Sequence, residues 1–219
     1  MIDIKYKTST KLVDYQKALQ YMEHTVTNKS TLPENIIWIL EHHPLYTEGV
    51  SSKKEELLHD NGLPVYKTNR GGKFIYHGPG QRVVYLILDL KQLFAPRPPD
   101  VRRYVYFLEQ ILIAILKELG LVGLRLPENP GVWIKTKNLP SPQKIAFVGI
   151  RIRKWISYHG IAFNLAPNLE HFKGIIPCGL KEYEITSLKA LEKEITTKEF
   201  DRLFKKNFEK LLTEGILNP

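Results

Sequence analysis

Thiols are almost absent from this chain of 219 residues, which holds one cysteine, Cys178. One cysteine excludes an internal disulfide and any zinc site built from several thiolates. Long apolar runs are missing as well. The longest, such as Ile36–Leu40 and Val83–Leu88, have the length of strands and fall far short of the roughly 18 residues a membrane span needs. The first residues, MIDIKYKTSTK, contain no apolar stretch and no small-residue cleavage site, so a cytoplasmic protein is the expectation. Acid is in short supply: 23 Asp and Glu stand against 32 Lys and Arg, a formal charge of +9. With 43% hydrophobic and 25% charged residues, the chain has the mix of a folded globule.

The positive charge is uneven. Residues 1–100 carry 13 basic and 11 acidic side chains, residues 101–219 carry 19 and 12. Lys135, Lys137, Lys144, Arg151, Arg153 and Lys154 follow one another with no acid between them. Such a field attracts polyanions, of which nucleic acid is one kind and acidic carrier proteins another.

Residues 11–27 repeat Leu12, Tyr15, Leu19, Met22 and Val26 at helical spacing. Strands are expected at Asn35–Leu40, Val65–Thr68, Phe74–His77, Gly131–Thr136 and, buried on both faces, Arg82–Leu90. Lys53–His59 reads as a short helix. Phe94–Asp100, with three prolines, reads as extended and linker-like. Asp100 caps the next helix, Val101–Leu119, which Gly120 ends. Lys137–Gln143 reads as a loop. Lys144–Arg153 and Ile156–Leu165 form a hairpin turning near Lys154, its first strand wet at the turn end. Ala166–Lys181 shows no period. Helices are expected near Thr186–Leu191 and at Thr197–Thr213. Strands and helices do not alternate strictly, which favours an α/β fold with a mixed sheet and flanking helices over a doubly wound parallel sheet.

Three segments carry chemistry. RGGKFIYHGPGQ, Arg70–Gln81, has four glycines and a proline in twelve residues. It is either a pair of tight sheet turns or a loop that offers N–H groups to an anion; it matches neither a GxGxxG nor a P-loop pattern. Lys144 opens an apolar strand, where a lysine either snorkels to water or is held beside a charge. His159 lies on the partner strand and reads as a structural histidine or a proton carrier. Cys178 sits between Pro177 and Gly179, outside any regular element. A buried structural thiol usually lies inside an element, whereas a thiolate in a loop suits acyl transfer through a thioester. No G-x-S-x-G elbow and no clustered metal-ligand spacing occurs, and His42-His43 cannot both face one metal from a regular strand.

Read together, LEHHPLYTEG, NRGGKFIYHGPGQRVVYLILDL, NPGVWI, KIAFVGIRIRKWISYHGIAFNL and IIPCGL lie in order and span about residues 39–180. In these segments the sequence resembles the octanoyltransferases of lipoate biosynthesis, the lipoyl(octanoyl) transferase family. The resemblance implies the α/β catalytic fold of biotin and lipoate protein ligases, here one domain over 1–219 with a smaller C-terminal helical part from about 185. It implies transfer of an octanoyl group from octanoyl-acyl carrier protein to a specific lysine. The acceptors would be lipoyl domains of 2-oxo-acid dehydrogenase complexes and the glycine cleavage H protein. No cofactor, metal, nucleic acid or membrane partner is implied. Cys178 would be the nucleophile and Lys144 the cation that lowers its pKa. Acyl contacts would come from Arg70, Gly71, Gly72, Lys73, Phe74, Ile75, Tyr76 and His77, from Phe147, Val148 and Gly149, and from Gly160, Ile161 and Ala162. His77 and His159 would handle protons or orient groups. The chain departs from the family pattern at Ile75 (commonly Thr), Arg82 (commonly small and apolar), Leu86 (commonly Pro) and in a longer loop at 137–142.

Overall fold

The computed structural model describes residues 2–27, 34–126, 128–136, 141–176 and 184–217. Fourteen regular elements lie among them: β1 (Ile4–Thr8), α1 (Tyr15–Thr27), β2 (Asn35–Leu40), β3 (Leu45–Glu48), β4 (Val65–Lys67), β5 (Ile75–His77), β6 (Gln81–Asp89), α2 (Leu90–Phe94), α3 (Val101–Glu118), β7 (Gly123–Leu124), β8 (Gly131–Ile134), β9 (Gln143–Arg153), β10 (Ile156–Asn164) and α4 (Thr197–Thr213).

Seven strands form one mixed sheet in the order β1-β2-β6-β10-β9-β8-β7. β1 runs parallel to β2; the remaining pairs are antiparallel. A small sheet, β4-β3-β5, lies apart from it. Side chains alternate across a strand, and here the alternation sorts residues into two cores. Ile37, Ile39, Val84, Leu86, Leu88, Ile161 and Phe163 join residues of α2, α3 and α4 on one face. Ile36, Trp38, Leu40, Val83, Tyr85, Ile87 and Ala162 join residues of α1 and the small sheet on the other. The mixed sheet with helices on both sides is the architecture expected from the sequence.

α3 begins where Asp100 accepts the Arg103 N–H at 3.0 Å. It ends before Gly120, whose φ of +76° favours glycine. Lys154 and Trp155, at φ +50° and +67°, make the two-residue turn between β9 and β10. α4 packs Phe200, Phe204 and Phe208 into the helix-side core. Its Asp201 grips Arg82 of β6 with both oxygens, at 2.8 and 2.7 Å.

Some expectations fail for tertiary reasons. Lys53–His59 is one 3-10 turn at Lys54–Glu56. Beyond it, Leu58 and His59 donate their N–H groups to the Gly174 carbonyl, and Leu57 bridges Ile175, so the backbone is taken by a distant segment. Thr186–Leu191 holds only a 3-10 turn at Lys189–Leu191. Thr186, Leu188 and Lys189 donate to Lys144, Asn164 and Leu165, which draws the chain along the main sheet. The unpatterned stretch from Ala166 includes a 3-10 turn at Leu169–Gly174. α2 follows β6 directly because Asp89 accepts from the Lys91 and Gln92 N–H groups. Most of the expected loop 137–143 lies outside the described residues, as does the end of the Ala166–Lys181 stretch.

Candidate active site

Lys144 enters the interior near the start of β9. The register between β8 and β9 shifts at Val132/Trp133: Val132 pairs with Ala146 and Trp133 with Lys144. Such an irregularity re-aims a side chain. Lys144 is 1% exposed, which rules out the snorkelling alternative. Its Nζ donates to the Pro130 carbonyl at 2.8 Å and lies 4.8 and 5.1 Å from the ring centroids of Trp133 and Phe147. Gly131 makes room for it. At φ +127° a Cβ there would fall 2.6 Å from Lys144 Cε and 2.4 Å from the Ala146 oxygen.

The Arg70-Gly71-Gly72 turn faces the middle of β9. Gly71 donates its N–H to the Ile150 carbonyl at 2.9 Å. Arg70 is buried and knits the turn to β3. Its Nη2 donates to Thr47 Oγ1 at 2.7 Å, to the Thr47 carbonyl at 2.8 Å and to the Lys73 carbonyl at 2.8 Å. Lys73 is ion-paired with the buried Glu56. The glycines therefore allow close approach of two backbones, and the arginine fixes the loop that results.

Three histidines gather under the sheet. His77 places Nδ1 2.7 Å from Gln81 Oε1 and Nε2 3.3 Å from Thr47 Oγ1. Gln81 Nε2 already donates to the Tyr76 carbonyl and to Asn164, so its oxygen accepts and His77 Nδ1 donates. His42 donates from Nδ1 to the Val13 carbonyl and meets the Tyr85 hydroxyl with Nε2, both at 2.7 Å. His159 Nε2 lies 3.2 Å from Asn69 Oδ1. Burial lowers His42 to about 4 and His159 to about 3, and holds His77 well below its ordinary value. The nearby Arg70 charge pushes His77 and His159 the same way. All three rings are neutral at pH 7. His159 adopts φ +59°, a strained value for a residue with a side chain.

A cleft of about 350 Å³ opens beside Lys144, walled by Gly71, Lys73, Ile75, Pro130 and Phe147. Next to it lies a void of about 20 Å³, the room of one water molecule, bounded by Tyr15, His77, Tyr85, His159, Gly160 and Ala162. Ile75, Phe147 and Gly149 belong to both walls. Of the residues expected to form the site, Gly71, Gly72, Lys73, Lys144 and Val148 line the cleft, while Arg70, Ile161, His77 and His159 line the void. Phe74 and Tyr76 line neither. They belong to the core, where the Tyr76 ring packs on Phe172. Cys178 lies outside the described residues. The chain approaches that segment at Ile176, whose N–H donates to the Glu56 carbonyl at 2.8 Å, and leaves it at Glu184, whose carbonyl accepts the Lys144 N–H at 2.9 Å.

Sequence reasoning missed Tyr15, Thr47, Gln81, Tyr85, Pro130 and Gly131. A signal existed for two of them: Gln81 and Tyr85 share the parity of Val83 on β6 and so face the site. His42 and His43 part as expected, His42 inward and His43 exposed. Among the described residues, no group of three His, Cys, Asp or Glu side chains is placed to hold a metal ion, and no helix is long and apolar enough to cross a membrane.

The mixed sheet with flanking helices belongs to a class of catalytic domain that comparison identifies. The lipoyl protein ligase A/B catalytic domain matches residues 14–209. A solved lipoate protein ligase from Thermoplasma acidophilum has the same fold, with a TM-score of 0.76 at 14% identity over 97% of this chain and 85% of that one. An octanoyltransferase of Ehrlichia ruminantium (strain Gardel) is 46% identical over 95% of this chain and 98% of its own. One from Bartonella quintana is 42% identical over 97% and 89%. The chain belongs to the lipoyl protein ligase A/B catalytic-domain family and falls among its octanoyltransferases; it is an acyltransferase.

Proposed function

We propose that this enzyme takes an octanoyl group from octanoyl-acyl carrier protein and places it on a specific lysine of lipoyl domains. Those of 2-oxo-acid dehydrogenase complexes and the glycine cleavage H protein are the acceptors. The whole chain acts in the cytoplasm as one catalytic unit, with a smaller C-terminal helical part from about 185. The observation that carries this reading is Lys144, a cation 1% exposed on the wall of the cleft and hydrogen-bonded through its backbone to Glu184, just past the Cys178 segment.

The Cys178 thiolate attacks the thioester carbonyl of the donor. The bond from that carbonyl to the carrier's sulfur breaks, and the carrier thiol leaves with a proton. A neutral lysine amine of the acceptor then attacks the Cys178 thioester. An amide forms, the amine loses a proton, and the Cys178 thiol is restored. Thioester exchange is nearly isoenergetic, so no nucleotide is consumed. A cation beside a thiol favours the thiolate, and Lys144 is that cation; it gives a proton to the leaving carrier thiolate, and the neutral amine left on Lys144 then takes the proton of the attacking acceptor amine. Backbone N–H groups of the glycine turns stabilise the developing oxyanion, those of Gly71 and Gly80 excepted, which donate to Ile150 and Glu41. The cleft volume lies in the range of small-molecule sites, and its apolar walls at Ile75, Phe147 and Val148 suit an alkyl chain. His77 has both ring nitrogens engaged, which supports an orienting role. Arg151, Arg153 and Lys154 are exposed on the hairpin and would steer acidic carrier proteins and lipoyl domains alike.

Intact mass after mixing with octanoyl-acyl carrier protein, without ATP, tests the reading. Wild type should gain about 126 Da, the mass of one octanoyl group, in a hydroxylamine-labile adduct that Cys178→Ser does not form. Acylation of a lipoyl domain from free octanoate that requires ATP, with no adduct on Cys178, would make the protein a ligase instead.

A further inference from the structure

Lys144 is held from a second direction. Glu109 lies on the inward face of α3 and is 2% exposed, a burial carboxylates rarely reach unless paired. One of its oxygens is ion-paired with Arg125, whose guanidinium lies 4.5 Å from the Tyr106 ring centroid. The other accepts the Gly131 N–H at 2.9 Å. That N–H and the Pro130 carbonyl belong to one peptide group, and the Pro130 oxygen is an acceptor for Lys144 Nζ. One rigid amide thus has a carboxylate on its N–H end and an ammonium on its C=O end. Because the peptide is planar, fixing its N–H fixes the direction of its carbonyl. Because hydrogen bonds in series polarise one another, the carboxylate also strengthens the carbonyl as an acceptor. The glycine at 131 is what lets this amide sit against the lysine stem.

We propose that Glu109 is a positioning residue for Lys144, acting through the Pro130–Gly131 peptide. The proposal rests on Lys144 being the group that favours the Cys178 thiolate. Lys73 and Glu128 are the other charged residues on the walls of the cleft, and Arg125 is the charged partner of Glu109.

Cys178 is the only thiol in the chain, so iodoacetamide reports on one site. The alkylation rate against pH gives a midpoint for wild type, Lys144→Met, Glu109→Gln and the double variant. Lys144→Met should raise the midpoint by about one unit or more, and Glu109→Gln by about half a unit, roughly threefold slower alkylation near neutrality. The double variant should match Lys144→Met alone, because both changes act through one group. An unmoved midpoint in Lys144→Met would overturn the reading of Lys144, and this proposal with it. A midpoint that moves in Lys144→Met but not in Glu109→Gln would overturn the positioning role alone. So would a Glu109→Gln shift that persists undiminished without the lysine. If thermal melting shows that Glu109→Gln does not fold, Arg125→Gln attacks the pair from its more exposed side. It should move the midpoint upward by less, and no movement would overturn the proposal.

Discussion

The two faces of the central sheet are equally buried and differently built. Under α2, α3 and α4, the strands present Ile37, Ile39, Val84, Leu86, Leu88 and Phe163, and the helices answer with Phe107, Leu108, Ile111, Leu112 and Phe204. Where that side holds the charge of Arg82, a carboxylate meets it head on. Under α1 and the small sheet, the same strands present Tyr85, His159 and Gln81, and the neighbours are His42, His77, Thr47 and Arg70. There the polar groups are satisfied by neutral hydrogen bonds and by backbone carbonyls. Burying polar groups is costly unless each finds a partner. The hydrocarbon face supplies the stability that lets the other face hold an arginine and three neutral histidines in fixed orientations.

The contrast can be broken most forcefully at Lys144. Lys144→Met should lower the rate of octanoyl transfer by about 100-fold or more, the scale of proton-transfer and thiolate assistance. A steady-state assay with purified donor and acceptor checks it, and near-wild-type turnover would remove the lysine from the chemistry. On the opposite face, Phe204→Ala should cost about 3–5 kcal/mol of stability. Urea unfolding measures that loss, while activity per folded molecule stays close to wild type. A large activity loss in the folded fraction would mean that the two faces are not separable.

Acid sharpens the comparison from the other side. His42 and His159 titrate near 4 and 3 in the fold, below their unfolded value of about 6.5. Between those values the unfolded chain takes up protons that the folded chain does not, so stability falls as pH drops from about 6.5 toward 4. Each histidine contributes a slope of at most about 1.4 kcal/mol per pH unit in that window. His42→Asn should flatten the pH dependence of the melting temperature, and a slope equal to wild type would show that His42 is not held neutral. The smallest effect belongs to Tyr85→Phe. It leaves His42 Nε2 without its 2.7 Å partner and should cost about 1 kcal/mol in chemical denaturation. A neutral or stabilising result would mean that the Tyr85 hydroxyl contributes nothing to holding His42.

Much of this was legible before any coordinates. The unbroken apolar run of β6 announced a strand buried on both sides, and the 3–4 spacing from Tyr104 to Ile115 announced α3 within one residue of its end. The turn at Lys154 was visible from the strand patterns on either side of it, and the turn after Arg70 from its glycines, of which Gly72 takes φ +87°. Elements defined by partners were not visible. β3 is four residues long and exists because β4 and β5 flank it. The 3-10 turns at Lys54–Glu56 and Lys189–Leu191 replace expected helices because the chain next to each gives its N–H groups to distant carbonyls, of Gly174 in one case and of Lys144, Asn164 and Leu165 in the other. Lys144 and the glycine turn, singled out by residue type, both line the cleft. Phe74 and Tyr76 were expected on the acyl wall, but from Lys73 to His77 only Lys73 and Ile75 line the cleft.

By itself the sequence determined the chemical inventory: one thiol, one lysine in an apolar strand, a glycine-rich turn, and strand periods that assign each residue to one of two faces. These are local properties, written in residue type and spacing. The tertiary structure alone decided that Lys144 is buried, that His42 and His77 are neutral partners of Tyr85 and Gln81, and that Glu109 reaches the lysine through a single peptide. The physical reason is that each of those states depends on desolvation and on groups brought together by folding, from Glu109 on α3 to Gly131 on β8 and Lys144 on β9. No spacing along the chain encodes that meeting.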